Sequence, residues 1–289
     1  EAEYAFDLAA AYADAEAAER RLKLAHDSRS LAEEDARIAT ALVAAGREAD
    51  LRRLQAQAAV QAARAAVDEA QAARATAFGN LTALAGASAP ITSIPVSLLE
   101  AKAPLFSGAN PAANATTAFL AAQAEREAAA RRLSVERRRA IPDVTLSVGL
   151  RRFQEDDATA LVAGVSVPLP LFDQNRGNIA AARAEQTAAE ARLNAARLDA
   201  EAAVRTSTAR ISAAETRLAA AREGESTAEE AYRLARIGYE AGKLPLAELV
   251  AARRALTEAR AQTIAAAVER ISAQAAQARL SGVATPGVQ

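Results

Sequence analysis

The chain has 289 residues, of which only 3% are aromatic and 25% are charged, and the charges nearly cancel to −1. So little aromatic bulk excludes a compact globule with a large-side-chain core, and near-neutrality excludes a disordered polyelectrolyte and a nucleic-acid surface. With no cysteine there is no disulfide or thiolate-metal site, and without a run of about 18 apolar residues any membrane crossing is expected to be by strands.

Residues 1–86 read as a first helical hairpin, two long Ala-, Arg-, Glu- and Gln-rich helices broken near Gly46 and ending at Gly86. Glycine suits such a break because it enters the left-handed region without a side-chain penalty. Residues 87–112 change character, with Pro90, Pro95, Pro104 and Pro111 among apolar positions such as Val96, Leu98 and Leu99, and are expected to form a belt or linker. Residues 113–140 return to a helical period, as a short ascending helix of about 40 Å.

After Pro142 the period becomes two: Val144, Leu146, Val148 and Leu150 alternate with Thr145, Ser147, Gly149 and Arg151. A turn at Gln154, Glu155, Asp156 and Asp157 leads to Leu161, Ala163, Val165 and Val167, alternating with smaller residues apart from Val162. Residues 143–168 therefore read as a β-hairpin whose strands, about ten residues each, match the length of a tilted membrane strand. A soluble hairpin with one buried face has the same alternation. If the membrane reading holds, Val144, Leu146, Val148, Leu150, Leu161, Val165 and Val167 face lipid.

Residues 174–282 read as a second helical hairpin, with its tip near Gly242 and Pro245 restarting the chain; residues 283–289 form a tail. No proline lies between Pro170 and Pro245, so the first of these helices would be about 100 Å long. Laying residues 1–86 over 197–282 without a gap pairs Glu19 with Glu215, Arg21 with Arg217, Gly46 with Gly242, Arg64 with Arg260, Arg74 with Arg270 and Gly86 with Gly282. Ser30, Ala32, Glu33, Glu34 and Arg37 meet Ser226, Ala228, Glu229, Glu230 and Arg233, the signature of an internal duplication. Three copies of one hairpin fall short of the roughly eight strands of a small outer-membrane barrel. A second hairpin is expected upstream of residue 1, and because no signal peptide opens the chain the natural N-terminus is expected to lie upstream too.

Catalytic signatures are missing: there is no phosphate loop, nucleophile triad, zinc spacing or paired-carboxylate cleft, and the one histidine, His26, reads as a surface residue. No cofactor or metal site is expected. Glu33-Glu34 and Glu229-Glu230 read as solvated faces, because adjacent helical residues point in different directions. Arg131, Arg132, Arg137, Arg138 and Arg139 form a basic run below the strands, either a solvated face or a contact for lipid headgroups or a neighbour's acidic belt.

Three stretches carry a family resemblance: Ile141-Pro-Asp-Val-Thr-Leu-Ser-Val-Gly149 entering the hairpin, Gly164-Val-Ser-Val-Pro-Leu-Pro-Leu-Phe-Asp-Gln-Asn-Arg-Gly-Asn178 leaving it, and Tyr239-Glu-Ala-Gly242 at the second tip. With these the chain resembles the TolC-like outer-membrane factors, in their cation-efflux (CzcC/CusC-like) branch. The resemblance implies a mainly α fold in which long antiparallel coiled-coil helices form the protomer of a periplasmic α-barrel beneath a transmembrane β-barrel. It further implies a homotrimer in the outer membrane of a Gram-negative bacterium, docked to a periplasmic adaptor and a proton-driven inner-membrane pump. Such a chain is not an enzyme but a passive conduit for heavy-metal cations or, alternatively, for drugs and other small molecules. A soluble coiled-coil scaffold and a periplasmic adaptor are the other readings; adaptors flank their helical hairpin with β-sandwich segments, which this sequence lacks.

The resemblance also implies a constriction at the tips, involving Tyr239, Gly242 and Glu248, with Arg52 at the equivalent position of the first repeat. Leu244 and Ala251 stand where well-studied members carry a basic and an acidic residue, so the family's gate network does not transfer intact. Glu248 either faces its symmetry mates or pairs with Arg253 or Arg254 on the outer surface.

Overall fold

A computed structural model describes residues 2–101, 112–153, 158–168 and 174–281. The expected turn residues Gln154, Glu155, Asp156 and Asp157, together with Pro104, Pro111, Pro170, Asp173, Gly282 and the tail, lie outside the described residues. The elements are α1 (Ala2–Ala44), α2 (Asp50–Ala85), a 3-10 turn (Ala113–Ala115), α3 (Thr117–Arg139), β1 (Thr145–Phe153), β2 (Ala158–Ser166), α4 (Arg176–Glu240) and α5 (Leu246–Ser281). The 65 residues of α4 correspond to about 98 Å of helix, because Ala, Arg, Glu, Gln and Leu all favour the helix and no proline interrupts them.

Two compact units divide the chain: Glu1–Ala112 with Ala203–Gln289, and Ala113–Ala202. In the first, the two hairpin tips have the same construction. Gly46 (φ 67°) donates to Val43 O at 2.9 Å and Arg47 to Leu42 O at 2.9 Å, while Gly242 (φ 69°) donates to Tyr239 O at 2.9 Å and Lys243 to Gly238 O at 2.8 Å. These paired bonds satisfy the last helical carbonyls, and the positive φ explains the glycine. Under the sequence overlay the helix ends coincide too: Ala44 with Glu240, Asp50 with Leu246, Ala85 with Ser281. Cross-hairpin ion pairs recur in the same way, Arg64 with Glu33 at 3.6 Å and Arg260 with Glu229 at 3.4 Å. Glu229 is solvent-exposed and Glu33 half-buried, and both tie their hairpins together.

Alanine forms the seams. Ala13 and Ala17 of α1 meet Leu218 of α4 and Ala266, Ala267 and Ile271 of α5, while Ala15 meets Phe78 and Leu81 of α2. Small side chains let the backbones approach closely, and bulk is concentrated in a few wedges such as Phe6 against Ala275. The belt enters this core: Leu99 is buried among Ala13, Ala17, Leu218 and Ile271. Its anchor is the buried Glu16, whose carboxylate accepts from Ser97 Oγ (2.5 Å), Leu98 N (2.8 Å) and Leu99 N (3.2 Å) and pairs with Arg20 at 2.9 Å.

The second unit carries the strands. Their antiparallel register pairs Leu146 with Val165, Val148 with Ala163 and Leu150 with Leu161, which puts these residues on one face. Thr145 with Ser166, Ser147 with Gly164 and Gly149 with Val162 form the other. Val144 and Val167 lie just outside the strand ends. Between α3 and α4, Asn175 adopts a left-handed φ of 56° and donates through Nδ2 to Glu136 O (2.9 Å) and Glu136 Oε2 (2.8 Å). The asparagine of the post-hairpin stretch therefore ties the two helices at the base of the hairpin, a conformation asparagine tolerates better than most residues.

Candidate functional site

At the second tip, Tyr239 is half-buried in the last turn of α4, and Glu248 is exposed in the first turn of α5, its N–H donating to Pro245 O at 3.1 Å. Arg52, in the first turn of α2, is exposed and faces Glu48 at 3.9 Å. Arg52 and Glu248 occupy equivalent positions of the two repeats, so the duplicated tips differ in charge sign. Leu244 lies across Gly238, where an added Cβ would come within 2.7 Å of its Cδ1; an apolar contact thus closes the tip.

Arg253 does not pair with Glu248. It crosses from α5 to α1, where Nη1 donates to Asp35 Oδ1 at 2.7 Å and Leu31 O at 3.0 Å, with its guanidinium 5.8 Å from the Tyr232 ring centroid. The two side chains retain only 11% and 15% of their exposure. Burial raises the Asp35 carboxyl above its usual range despite the opposing pull of Arg253. This clasp was not anticipated from the sequence. The one signal for it is a break in the repeat, since Arg253 and Tyr232 correspond to Gln57 and Ala36.

The clasp lines a groove of about 320 Å³ in which Glu229, Tyr232, Arg253, Leu256, Thr257 and Arg260 face Leu24, Asp27, Ser28 and Leu31 of α1. Its counterpart in the first repeat, about 510 Å³ and lined by Glu33, Ala36, Gln57, Val60, Gln61 and Arg64, is bounded by α1 and α2 residues alone among those described. A second asymmetry concerns Arg270. Its counterpart Arg74 donates to Glu19 (2.9 Å) and Thr92 O (2.6 Å), whereas buried Arg270 has no partner for Nε or Nη2. Burial, and next Arg222, lower its pKa, with Glu215 opposing.

The strand face is open. Leu146, Val148, Leu150, Leu161 and Val165 are each between 69% and 75% exposed, so no described residue covers that face. Among the described residues no helix is long and apolar enough to cross a membrane, and no His, Asp or Glu group could hold a metal ion.

A family model described as "Outer membrane efflux protein" matches residues 109–283. The chain is 44% identical over 186 residues to the nickel-cobalt-cadmium resistance protein NccC of Alcaligenes xylosoxydans xylosoxydans, covering 64% of this chain and 42% of that one. It is 29% identical over 265 residues to the cobalt-zinc-cadmium resistance protein CzcC of Cupriavidus metallidurans, covering 84% and 59%. The chain therefore spans less than two thirds of the curated relatives it matches. Among solved structures, the outer membrane protein VceC of Vibrio cholerae superposes with a TM-score of 0.69 at 21% identity, over 96% of this chain and 69% of that one, a likeness of fold.

Proposed function

The chain belongs to the outer membrane efflux protein family, and from that premise we propose that it is part of the outer-membrane channel of a three-part efflux pump, a passive conduit for heavy-metal cations without catalytic chemistry. The observation that carries this reading is the exposed apolar strand face, together with a helix far longer than a globule holds. The metal resistance named for NccC and CzcC supports cations over drugs as cargo. The partners in this reading are two further copies of the chain, a periplasmic adaptor, a proton-driven inner-membrane pump and outer-membrane lipid.

Assembly into a ring is supported by the unequal grooves. Within one chain, α1 packs against the α4–α5 groove. The equivalent α1–α2 groove is open to the matching face of α4 from a second copy, with Ala220, Glu223, Gly224 and Thr227 in place of Leu24, Asp27, Ser28 and Leu31. Such a head-to-tail contact generates a ring when its rotation closes. The contact equivalent to Asp35–Arg253 would join Ala231 to Gln57 of the next copy. Cysteines at Gln57 and Ala231 of the full-length protein should therefore crosslink between chains, up to a trimer, on oxidation. Crosslinks within single chains only, or none, would overturn the arrangement.

In such a ring the tips form the constriction, with Tyr239 and Gly242 at its margin, Glu248 from each copy facing the axis, and Arg52 on the alternate tips. Converging carboxylates favour cation entry without a dedicated binding site. The exposure of Glu248 and the engagement of Arg253 with Asp35 support this over outward pairing with Arg253. In single-channel recordings of the full-length protein, Glu248→Gln should reduce cation selectivity severalfold. Unchanged conductance and selectivity would place Glu248 away from the constriction.

A further inference from the structure

Resting on the membrane reading of the hairpin, we propose that a collar of arginines at its base, Arg137, Arg138 and Arg139 in the last turn of α3 and Arg176 in the first turn of α4, binds the phosphates of anionic phospholipid headgroups. Three consecutive arginines on a helix project about 100° apart, so they distribute positive charge around the end of α3 rather than along one face. All four are exposed. Arg139 is partly neutralised by Glu136 at 2.8 Å, and among the described residues Arg176 donates to the neutral Gln174. Arg137 and Arg138 have no ion pair among the described residues. Among the described residues the nearby acids are Glu136, itself engaged by Asn175, and the exposed Asp143; even with Asp173 of the adjoining sequence counted, the four arginines outnumber the acids.

Its position selects the partner. The Asn175 bonds to Glu136 hold Arg176 beside the α3 end, and the apolar ladder of Leu146, Val148, Leu161 and Val165 begins just beyond it. Apolar strands followed by a cationic rim match acyl chains followed by phosphates. Arg132 is not part of this rim, since it lines a groove with Glu125, Glu185 and Arg192.

The test uses the full-length protein in vesicles of phosphatidylcholine, with and without phosphatidylglycerol, and in neutral detergent titrated with each short-chain lipid or with inorganic phosphate. Phosphatidylglycerol should be retained in preference to phosphatidylcholine. The variant R137Q/R138Q/R139Q should weaken that retention by roughly fivefold per arginine at low salt, while R137K/R138K/R139K should keep most of it. Equal retention of both lipids, an unaltered preference in the glutamine variant, or phosphate binding as tightly as the lipid would each overturn the proposal. If the arginines served only the α3 dipole, the glutamine variant would lower thermal stability without changing lipid preference. Insertion without that preference overturns the collar alone, whereas wild-type protein that fails to insert into either vesicle overturns the membrane reading.

Discussion

Asp35→Ala is expected to destabilise the protein by about 3–5 kcal/mol, because it strands Arg253 as a buried charge without its counter-ion. Arg253 Nε already lacks a partner, and the remaining bonds would be Leu31 O and the Tyr232 ring. The double variant Asp35→Ala/Arg253→Leu should recover most of the loss, since apolar side chains can replace a buried ion pair at little cost. Denaturant unfolding of the two single variants and the double measures this directly. Additive losses would mean that the side chains are not coupled. The pH dependence has a defined sign. Burial raises Asp35 above the ordinary carboxylate value of 3.8, so the folded state holds its proton more tightly than the unfolded state. The stability contributed is fully present below that ordinary value and is lost as pH rises through the raised pKa. Asp35→Asn should remove this slope.

Val148→Arg should disfavour membrane insertion by about 2–4 kcal/mol if the site lies near the midplane, while Ser147→Arg should not. The two residues are neighbours on opposite strand faces, Val148 opposite Ala163 and Ser147 opposite Gly164. A general intolerance of charge would affect both, so the difference isolates lipid contact. Folding yields in vesicles report it, and equal yields for the two variants would count against a transmembrane barrel.

The clasp illustrates what could be read in advance and what could not. Glycine breaks, helix lengths and strand alternation were legible because each follows from neighbouring residues: Gly46 and Gly242 must take positive φ, and Leu146, Val148 and Leu150 share a face by a period of two. The duplication was legible because two copies carry the same spacing. The Glu16 anchor was not, since the belt groups it holds lie more than 80 residues away, and its local pairing with Arg20 does not distinguish it from other helical glutamates. Candidate gate residues were named through a resemblance, and of the two arginines offered as an outward partner for Glu248, Arg253 turns towards another helix.

The sequence by itself determined the long helices, their breaks, the hairpin with its two faces and the repeat, all consequences of backbone preference and periodicity over short stretches. Only the tertiary structure decided which alanine faces meet, that Leu99 enters the core between α1 and α5, and that Arg253 belongs to Asp35, 218 positions away. The physical reason is that an alanine-rich helix presents nearly equivalent faces all round. Its own sequence specifies that it forms, while the choice of partner rests on a few bulky or charged side chains whose complements lie far along the chain.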